Sequence, residues 1–81
     1  MTEQEIRDAV LDIIKDVAGL DERPEVDGAK PLREQLELDS MDFLDIVMEL
    51  RKRHRIEVPE SDYSRLASLD STVLYIRGRQ G

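Results

Sequence analysis

Apolar residues near the N-terminus recur with the period of an α-helix. Five of them are spaced at i, i+3, i+4, i+7 and i+11, and charged side chains stand between them. This spacing places all five on one side of a helix, so the segment is predicted to be an amphipathic helix. The five residues are Ile6, Ala9, Val10, Ile13 and Val17.

Both ends of this helix are marked in the sequence. Thr2 and Glu5 have the spacing of a capping box, in which each side chain accepts a hydrogen bond from the backbone N–H of the other residue. Gly19 stands where helices commonly end, because glycine adopts the left-handed conformation easily. The helix is therefore expected to begin after Thr2 and to end near Ala18.

A long connection follows, from Leu20 to Asp39. Pro24, Gly28 and Pro31 interrupt any helical pattern in it. Connections of this length are uncommon in compact domains and are usually functional. Its few apolar residues are expected to anchor it on the core, and they are Val26, Leu32, Leu36 and Leu38.

A second helix is predicted to begin after Asp39, and it carries two apolar lines. The first line repeats at i, i+3, i+4 and i+7, with a histidine at i+11, and the second repeats at i, i+3 and i+7. Because one helix of so small a bundle cannot bury both, we assign the first line to the core and the second to the surface. Asp39 and Asp42 also have the spacing of an N-cap and its capping-box partner. The core line is Phe43, Ile46, Val47 and Leu50 with His54 at its edge, and the surface line is Met41, Leu44 and Met48, interleaved with Asp42, Asp45 and Glu49.

A surface line of methionine and leucine edged by carboxylates is typical of a docking face. Methionine adapts its shape to different partners, and the acidic groups attract basic protein surfaces. The alternative is a helix that is buried more completely. We predict a docking face formed by Met41, Asp42, Leu44, Asp45, Met48, Glu49, Arg51 and Lys52.

The remaining segments predict one short helix and one longer helix. Glu60 to Leu66 is too brief for more than one or two helical turns, and in "SLDSTVLYIRG" Ser68 is a candidate N-cap and Gly78 a stop signal. No strand alternation or repeat occurs. The chain is therefore predicted to be one all-α domain over residues 1–81, a four-helix bundle with three principal helices, one short helix and a long loop between helices 1 and 2. The buried stripe of its last helix is predicted to be Leu69, Val73 and Ile76.

Charge is distributed unevenly along the 81 residues, which carry a net charge of −7. Residues 1–50 contain 15 acidic and 5 basic residues, whereas residues 51–81 contain 4 acidic and 7 basic residues. The acidic front part repels phosphate backbones and anionic membranes and attracts basic protein surfaces. No apolar run approaches the roughly 18 residues that span a bilayer. We therefore expect protein partners, no nucleic acid and no membrane, and a monomer in the cytoplasm.

Ser40 lies where the loop meets the second helix, and two roles are open for it. It either helps to start the helix or is presented to another protein. A catalytic serine needs an adjacent base, but the only histidine, His54, lies on the same helix about 21 Å away. The chain also has no cysteine and no spacing typical of a metal site, so it is predicted not to be an enzyme.

The whole plan resembles an acyl carrier protein. The resemblance rests on the acidic first helix, the long loop, "LDSM" before an acidic and methionine-rich helix, "IEVPES" and "TVLYIRG". In that family a serine in an Asp-Ser-Leu motif receives 4′-phosphopantetheine from coenzyme A through a phosphopantetheinyl transferase, and the terminal thiol carries an acyl group as a thioester. The resemblance implies that Ser40 is this serine, that Asp39 is the preceding acid, and that Met41 replaces the usual leucine.

The resemblance also implies a cargo and partners. An aspartate before the serine is similar to carriers of fatty-acid and polyketide biosynthesis, so we expect an acyl cargo. The expected partners are an acyl ligase, an acyltransferase or synthase enzymes, besides the transferase. An aminoacyl, peptidyl or specialised cell-envelope carrier of the same fold is the alternative.

The run "RKRHR", Arg51 to Arg55, departs from the family pattern. One interpretation is that these cations complement the negative end of the helix dipole and pair with Asp45 and Glu49. Another is that they select a dedicated partner and exclude others. A third, of a different class, is a small helical interaction module that binds through this run, with Ser40 serving only as a cap.

Overall fold

The computed structural model of the protein describes residues 1–80, and of Gln80 only the backbone. The regular secondary structure of the described part is helical, apart from one isolated β-bridge between Pro31 and Ser68. The all-α class and the helical bundle are therefore confirmed. No helix in this part of the chain has the length and apolar character needed to cross a membrane. The elements in chain order are helix α1 (Glu3–Ala18), helix α2 (Leu32–Leu36), helix α3 (Ser40–His54), a 3-10 helix (Glu60–Leu66) and helix α4 (Leu69–Gln80).

Helix α1 begins and ends as the sequence predicts. Thr2 Oγ1 accepts a hydrogen bond from the backbone N–H of Glu5 at 3.1 Å, and Glu5 Oε1 accepts one from the backbone N–H of Thr2 at 2.7 Å. Gly19 follows the helix in the left-handed conformation, at φ 71°. These contacts satisfy backbone groups that the helix itself leaves without partners. Both ends of α1 are therefore capped.

One hydrophobic core joins the helices. α1 packs against both α3 and α4, and the 3-10 helix packs against α4. Ala9 and Val17, two members of the predicted α1 stripe, are only half-buried, while Ile14 is fully buried instead. The core residues are Ile6, Val10, Ile13, Ile14, Leu32, Leu38, Ile46, Val47, Leu50, Ile56, Val58, Leu66, Leu69, Val73 and Ile76.

The long connection contains helix α2, which the sequence analysis does not predict. The backbone N–H of Leu32 donates to the carbonyl of Ala67 at 2.8 Å, which ties the start of α2 to the segment before α4. The Gln35 side chain accepts from the N–H of Asp27 at 2.7 Å and donates to the carbonyl of the same residue at 2.9 Å. The helix ends at Leu36, and Glu37 follows it in the left-handed conformation at φ 53°. The predicted anchors do contact the core: Leu32 and Leu38 are buried, and Val26 and Leu36 are half-buried.

A second fastening of the connection lies at Gly28. Its carbonyl accepts a hydrogen bond from the backbone N–H of Asp70 at 3.0 Å, and the Asp70 carboxylate pairs with Arg7 at 2.7 Å. A Cβ atom on Gly28 would overlap that carboxylate. A side chain at this position would therefore displace the Asp70 carboxylate, through which the connection is joined to α1.

Helix α4 starts as predicted but does not end as predicted. Ser68 Oγ accepts from the backbone N–H of Ser71 at 3.2 Å, as an N-cap does. Gly78 was expected to stop the helix, and this prediction is wrong, because α4 continues to Gln80. A glycine inside a helix costs only about 1 kcal/mol relative to alanine. That penalty is too small to end a helix whose preceding turns are anchored by Val73 and Ile76.

Candidate functional site

Two aspartates cap the N-terminus of α3. Asp39 Oδ1 accepts a hydrogen bond from the backbone N–H of Asp42 at 2.8 Å. In return, Asp42 Oδ2 accepts one from the backbone N–H of Asp39 at 3.3 Å. The predicted capping box is therefore present, and it leaves the Ser40 hydroxyl without a capping role. Ser40 is the first residue of the helix and is exposed.

The side chain that contacts the Ser40 hydroxyl is that of Arg33, which the sequence analysis does not single out. Arg33 lies on α2, and its Nη2 donates a hydrogen bond to Ser40 Oγ at 3.1 Å. Its Nε donates to the carbonyl of Leu38 at 3.5 Å. These contacts place a guanidinium directly beside the hydroxyl. No spacing rule predicts the pair, because it depends on the path of the chain between α2 and α3.

An open groove of about 390 Å³ begins at Ser40. It runs between α3 and the 3-10 helix, where the rings of Phe43 and Tyr63 meet edge to face with their centroids 5.7 Å apart. The groove combines apolar walls with one cation and one carboxylate. Its lining residues are Arg33, Ser40, Phe43, Leu44, Glu60, Tyr63, Ser64 and Ala67.

The two apolar lines of α3 have the burial that their spacing predicts. Ile46, Val47 and Leu50 are buried, whereas Phe43 and His54 are half-buried at the edge of the core. The surface line is exposed by 74%, 45% and 62% at its three positions. The exposure of this line is thus confirmed, while its use for docking stays a prediction. These three positions are Met41, Leu44 and Met48.

The acidic residues between these positions differ in whether they form hydrogen bonds or ion pairs within the described chain. Asp42 belongs to the capping box, and Glu49 forms an ion pair with Arg53 at 2.9 Å. Asp45 is exposed and forms no ion pair within residues 1–80. The expected pairing of the basic run with Asp45 is therefore wrong, since neither the adjacent turn nor α1 brings a cation to it.

The basic run is divided between two roles. Arg53 donates to Asp16 of α1 at 2.7 Å and to Glu49 at 2.9 Å, and these two carboxylates raise the pKa of its guanidinium. Arg53 therefore ties α3 to α1. Arg51 reaches only Glu57, at 3.8 Å with both side chains largely exposed, and Lys52 has no ion pair in the described part of the chain. Arg51 and Lys52 thus extend the exposed surface of α3.

Comparison with known proteins agrees with this geometry. A family model described as phosphopantetheine attachment site matches residues 8–76. The chain belongs to the phosphopantetheine-binding acyl carrier family. It is 31% identical over 80 residues to an acyl carrier protein of Lactobacillus johnsonii, covering 99% of each chain. It is 32% identical over 76 residues to one of Rubrobacter xylanophilus, covering 94% of this chain and 93% of that one, and 32% identical over 76 residues to one of Chlamydia caviae, covering 94% and 97%.

Membership of the carrier family assigns 4′-phosphopantetheine to the chain as its covalent cofactor. The residues at the start of α3 fit such a group. The Ser40 hydroxyl is exposed and free of capping, the Arg33 guanidinium lies 3.1 Å from it, and the adjacent groove is open. No cluster of metal-ligating side chains occurs within residues 1–80. Ser40 and His54 stand at opposite ends of α3, so the histidine cannot serve the serine as a base.

Proposed function

We propose that Ser40 is the attachment residue and that the chain carries an acyl group as a thioester on the arm. In loading, Ser40 Oγ exchanges its bond to hydrogen for a bond to the phosphorus of the phosphopantetheinyl group. Coenzyme A gives up adenosine bisphosphate, and the hydroxyl proton passes to a base of the transferase. The chain itself supplies a presented hydroxyl and no base.

The observation that carries this proposal is that the start of α3 is capped by Asp39 and Asp42 and not by Ser40. Asp39 and Asp42 accept from each other's backbone N–H groups, so the capping box forms without the Ser40 side chain. A serine that served only as a cap would accept a backbone hydrogen bond. Instead Ser40 accepts one from Arg33 and is exposed beside an open groove, where a transferase can reach it.

The acyl cargo is supported by the residue before the attachment site and by the relatives. Asp39 stands where the fatty-acid and polyketide carriers have an acid, and the similar proteins are acyl carrier proteins. We infer a role in fatty-acid, polyketide or related acyl-transfer biosynthesis. The partners are the transferase and an acyl ligase, an acyltransferase or synthase enzymes.

The exposed side of α3 is the proposed docking face for these partners. Met41, Leu44 and Met48 provide apolar area that begins one residue after Ser40. Asp45 supplies a carboxylate that no cation of the described chain neutralises. A partner with a basic rim around an apolar patch complements this combination, and docking there brings its active site to Ser40.

Intact mass tests the attachment directly. The purified chain is incubated with coenzyme A, Mg²⁺ and a phosphopantetheinyl transferase, and we expect one phosphopantetheinyl addition. Because the chain has no cysteine, any thiol titrated afterwards belongs to the arm, and one thiol per loaded chain is expected. The Ser40→Ala variant should fold but gain neither the mass nor the thiol.

Ser64 provides the matched control, since it is an exposed serine of the same groove. The Ser64→Ala variant should be loaded as completely as the wild type. An unchanged wild-type mass, under conditions in which several transferases convert a known acyl carrier protein, would contradict the proposal. So would a modification that persists in Ser40→Ala.

A further inference from the structure

Arg33 is a cation without a charged partner at the edge of an acidic region. It forms no ion pair within residues 1–80, and its guanidinium donates to two neutral oxygens, Ser40 Oγ and the carbonyl of Leu38. Glu60 lines the same groove, but its carboxylate does not pair with Arg33. A guanidinium is recognised best by a planar or tetrahedral oxyanion, which these two neutral acceptors do not provide.

We propose that Arg33 binds the phosphodiester that loading creates on Ser40, an inference that rests on the proposed function. The bridging oxygen of that phosphodiester is Ser40 Oγ itself, which already lies 3.1 Å from Arg33 Nη2. Its non-bridging oxygens share a negative charge at neutral pH and lie two bonds from Oγ, within reach of the same side chain. Arg33 thus exchanges a neutral acceptor for an anionic one, and charge-assisted hydrogen bonds are shorter and stronger than neutral ones.

The same contact offsets a repulsion that loading would otherwise create. Asp39 directly precedes Ser40, and Asp42 lies within one helical turn of it, so a new anion at Ser40 joins two carboxylates in a chain of net charge −7. Like charges this close destabilise the folded state. Arg33 supplies the compensating charge at the position where the new one forms. It is therefore a positioning residue for the attached group, and Ser40 remains the residue that reacts.

The structure also places Arg33 where it can direct the attached arm. Arg33 and Ser40 both line the groove that contains Phe43, Leu44 and Tyr63. A phosphodiester held by Arg33 stands at the edge of this groove. The arm then begins beside an apolar wall rather than in open solvent.

The test compares melting temperatures of apo and loaded protein for the wild type and for Arg33→Gln. Loading is first verified by intact mass for each protein, so that only fully loaded samples enter the comparison. For each protein the quantity compared is the change in Tm on loading. We expect this change to be about 4 °C more negative in Arg33→Gln than in the wild type, the size that one exposed charge pair gives in a domain of this length. The difference should shrink at about 0.5 M salt, where charges are screened within a few ångströms.

A spectroscopic readout distinguishes contact from general charge effects. In the wild type, loading should shift the Arg33 Nε–H NMR signal, and the phosphorus-31 line of the loaded Arg33→Gln variant should be narrower than that of the wild type because the group moves more freely. Arg33→Lys keeps the charge and should retain most of the thermal effect. Arg65→Gln removes one exposed charge from the neighbouring 3-10 helix, outside the groove, and should behave as the wild type.

The outcomes separate the two proposals. A wild-type chain that is never loaded overturns both of them. In a second outcome, the chain is loaded at Ser40, but the Arg33 signal does not move and the thermal response equals that of Arg33→Gln. This outcome supports the proposed function and overturns the role of Arg33. Equal losses in Arg33→Gln and Arg65→Gln would likewise overturn it, because they would show an effect of net charge alone.

Discussion

The two faces of helix α3 contain similar side chains in opposite surroundings. Leu50 on one face is 1% exposed, whereas Met41 on the other is 74% exposed. Both lines follow the helical period, so periodicity alone does not distinguish the face that holds the fold together from the face that is free. Burial makes the distinction. The comparison teaches that one helix serves as a structural element on one side and as an accessible surface on the other.

Replacing one leucine on each face should give the largest difference in stability between the two faces. Leu50→Ala removes a fully buried side chain and should lower the free energy of unfolding by roughly 2 to 5 kcal/mol. Leu44→Ala, the same change on the exposed face, should cost less than about 1 kcal/mol. Urea unfolding of both variants measures the difference. Equal losses of stability would show that the two faces are not distinct.

Arg53 lies at the border of the two faces and should have an intermediate effect. Arg53→Gln removes the ion pairs with Asp16 and Glu49, which join α3 to α1. Because its side chain is more than a third exposed, solvent screens these pairs, and we expect a small decrease in melting temperature that diminishes as salt rises. Lys52→Gln is the control, since Lys52 has no ion pair in the described chain. An equal loss in Lys52→Gln would assign the effect to net charge.

Charge reversal of Arg51 and Lys52 tests whether the docking face extends to the end of the helix. Replacing both by Glu should cost at most about 1 kcal/mol of stability, through the helix dipole. If these cations take part in docking, loading and acylation rates should change, and the change should diminish as salt rises. Rates that are unaffected at every salt concentration would restrict the docking face to the part of α3 before Arg51.

Met48→Ala should have the smallest effect on stability and should separate stability from binding. The Met48 side chain is 62% exposed, so its truncation should change the free energy of unfolding by less than about 0.5 kcal/mol. Removing its contact area should nevertheless raise the KM of the transferase for the chain, measured as the loading rate at varied carrier concentration. A stability loss like that of Leu50→Ala, or an unchanged KM, would contradict the assignment of Met48 to the docking face.

Local rules predict the beginnings of the long helices and the two faces of α3 well. The two capping boxes, at Thr2 and at Asp39, depend on residues three positions apart, and both form as their spacing indicates. The exposed and buried lines of α3 follow in the same way from the period of the helix and the small size of the chain. These patterns involve residues that are close in the sequence, so they predict helix starts and faces without knowledge of the fold.

Features that depend on distant contacts could not be predicted. Helix α2 has five residues and begins with a backbone hydrogen bond to Ala67, more than thirty positions away. The contact between Arg33 and Ser40 requires α2 to be in place, so it was missed for the same reason. The role of Arg53 in the basic run could not be predicted for the same reason, because its contact with α1 depends on Asp16, which is distant in the sequence.

The shortness of α2 has a consequence for motion at the attachment site. A helix of five residues that starts without a side-chain cap and ends in a left-handed glutamate is not stable by itself, since helix nucleation is unfavourable. Its backbone amides are therefore expected to exchange with solvent through local openings that leave α1, α3 and α4 folded. Each such opening releases Arg33 from Ser40 while the serine stays fixed on the rigid end of α3. The chain thus presents Ser40 from a long helix, whereas Arg33 is expected to leave the hydrogen bond whenever its short helix opens.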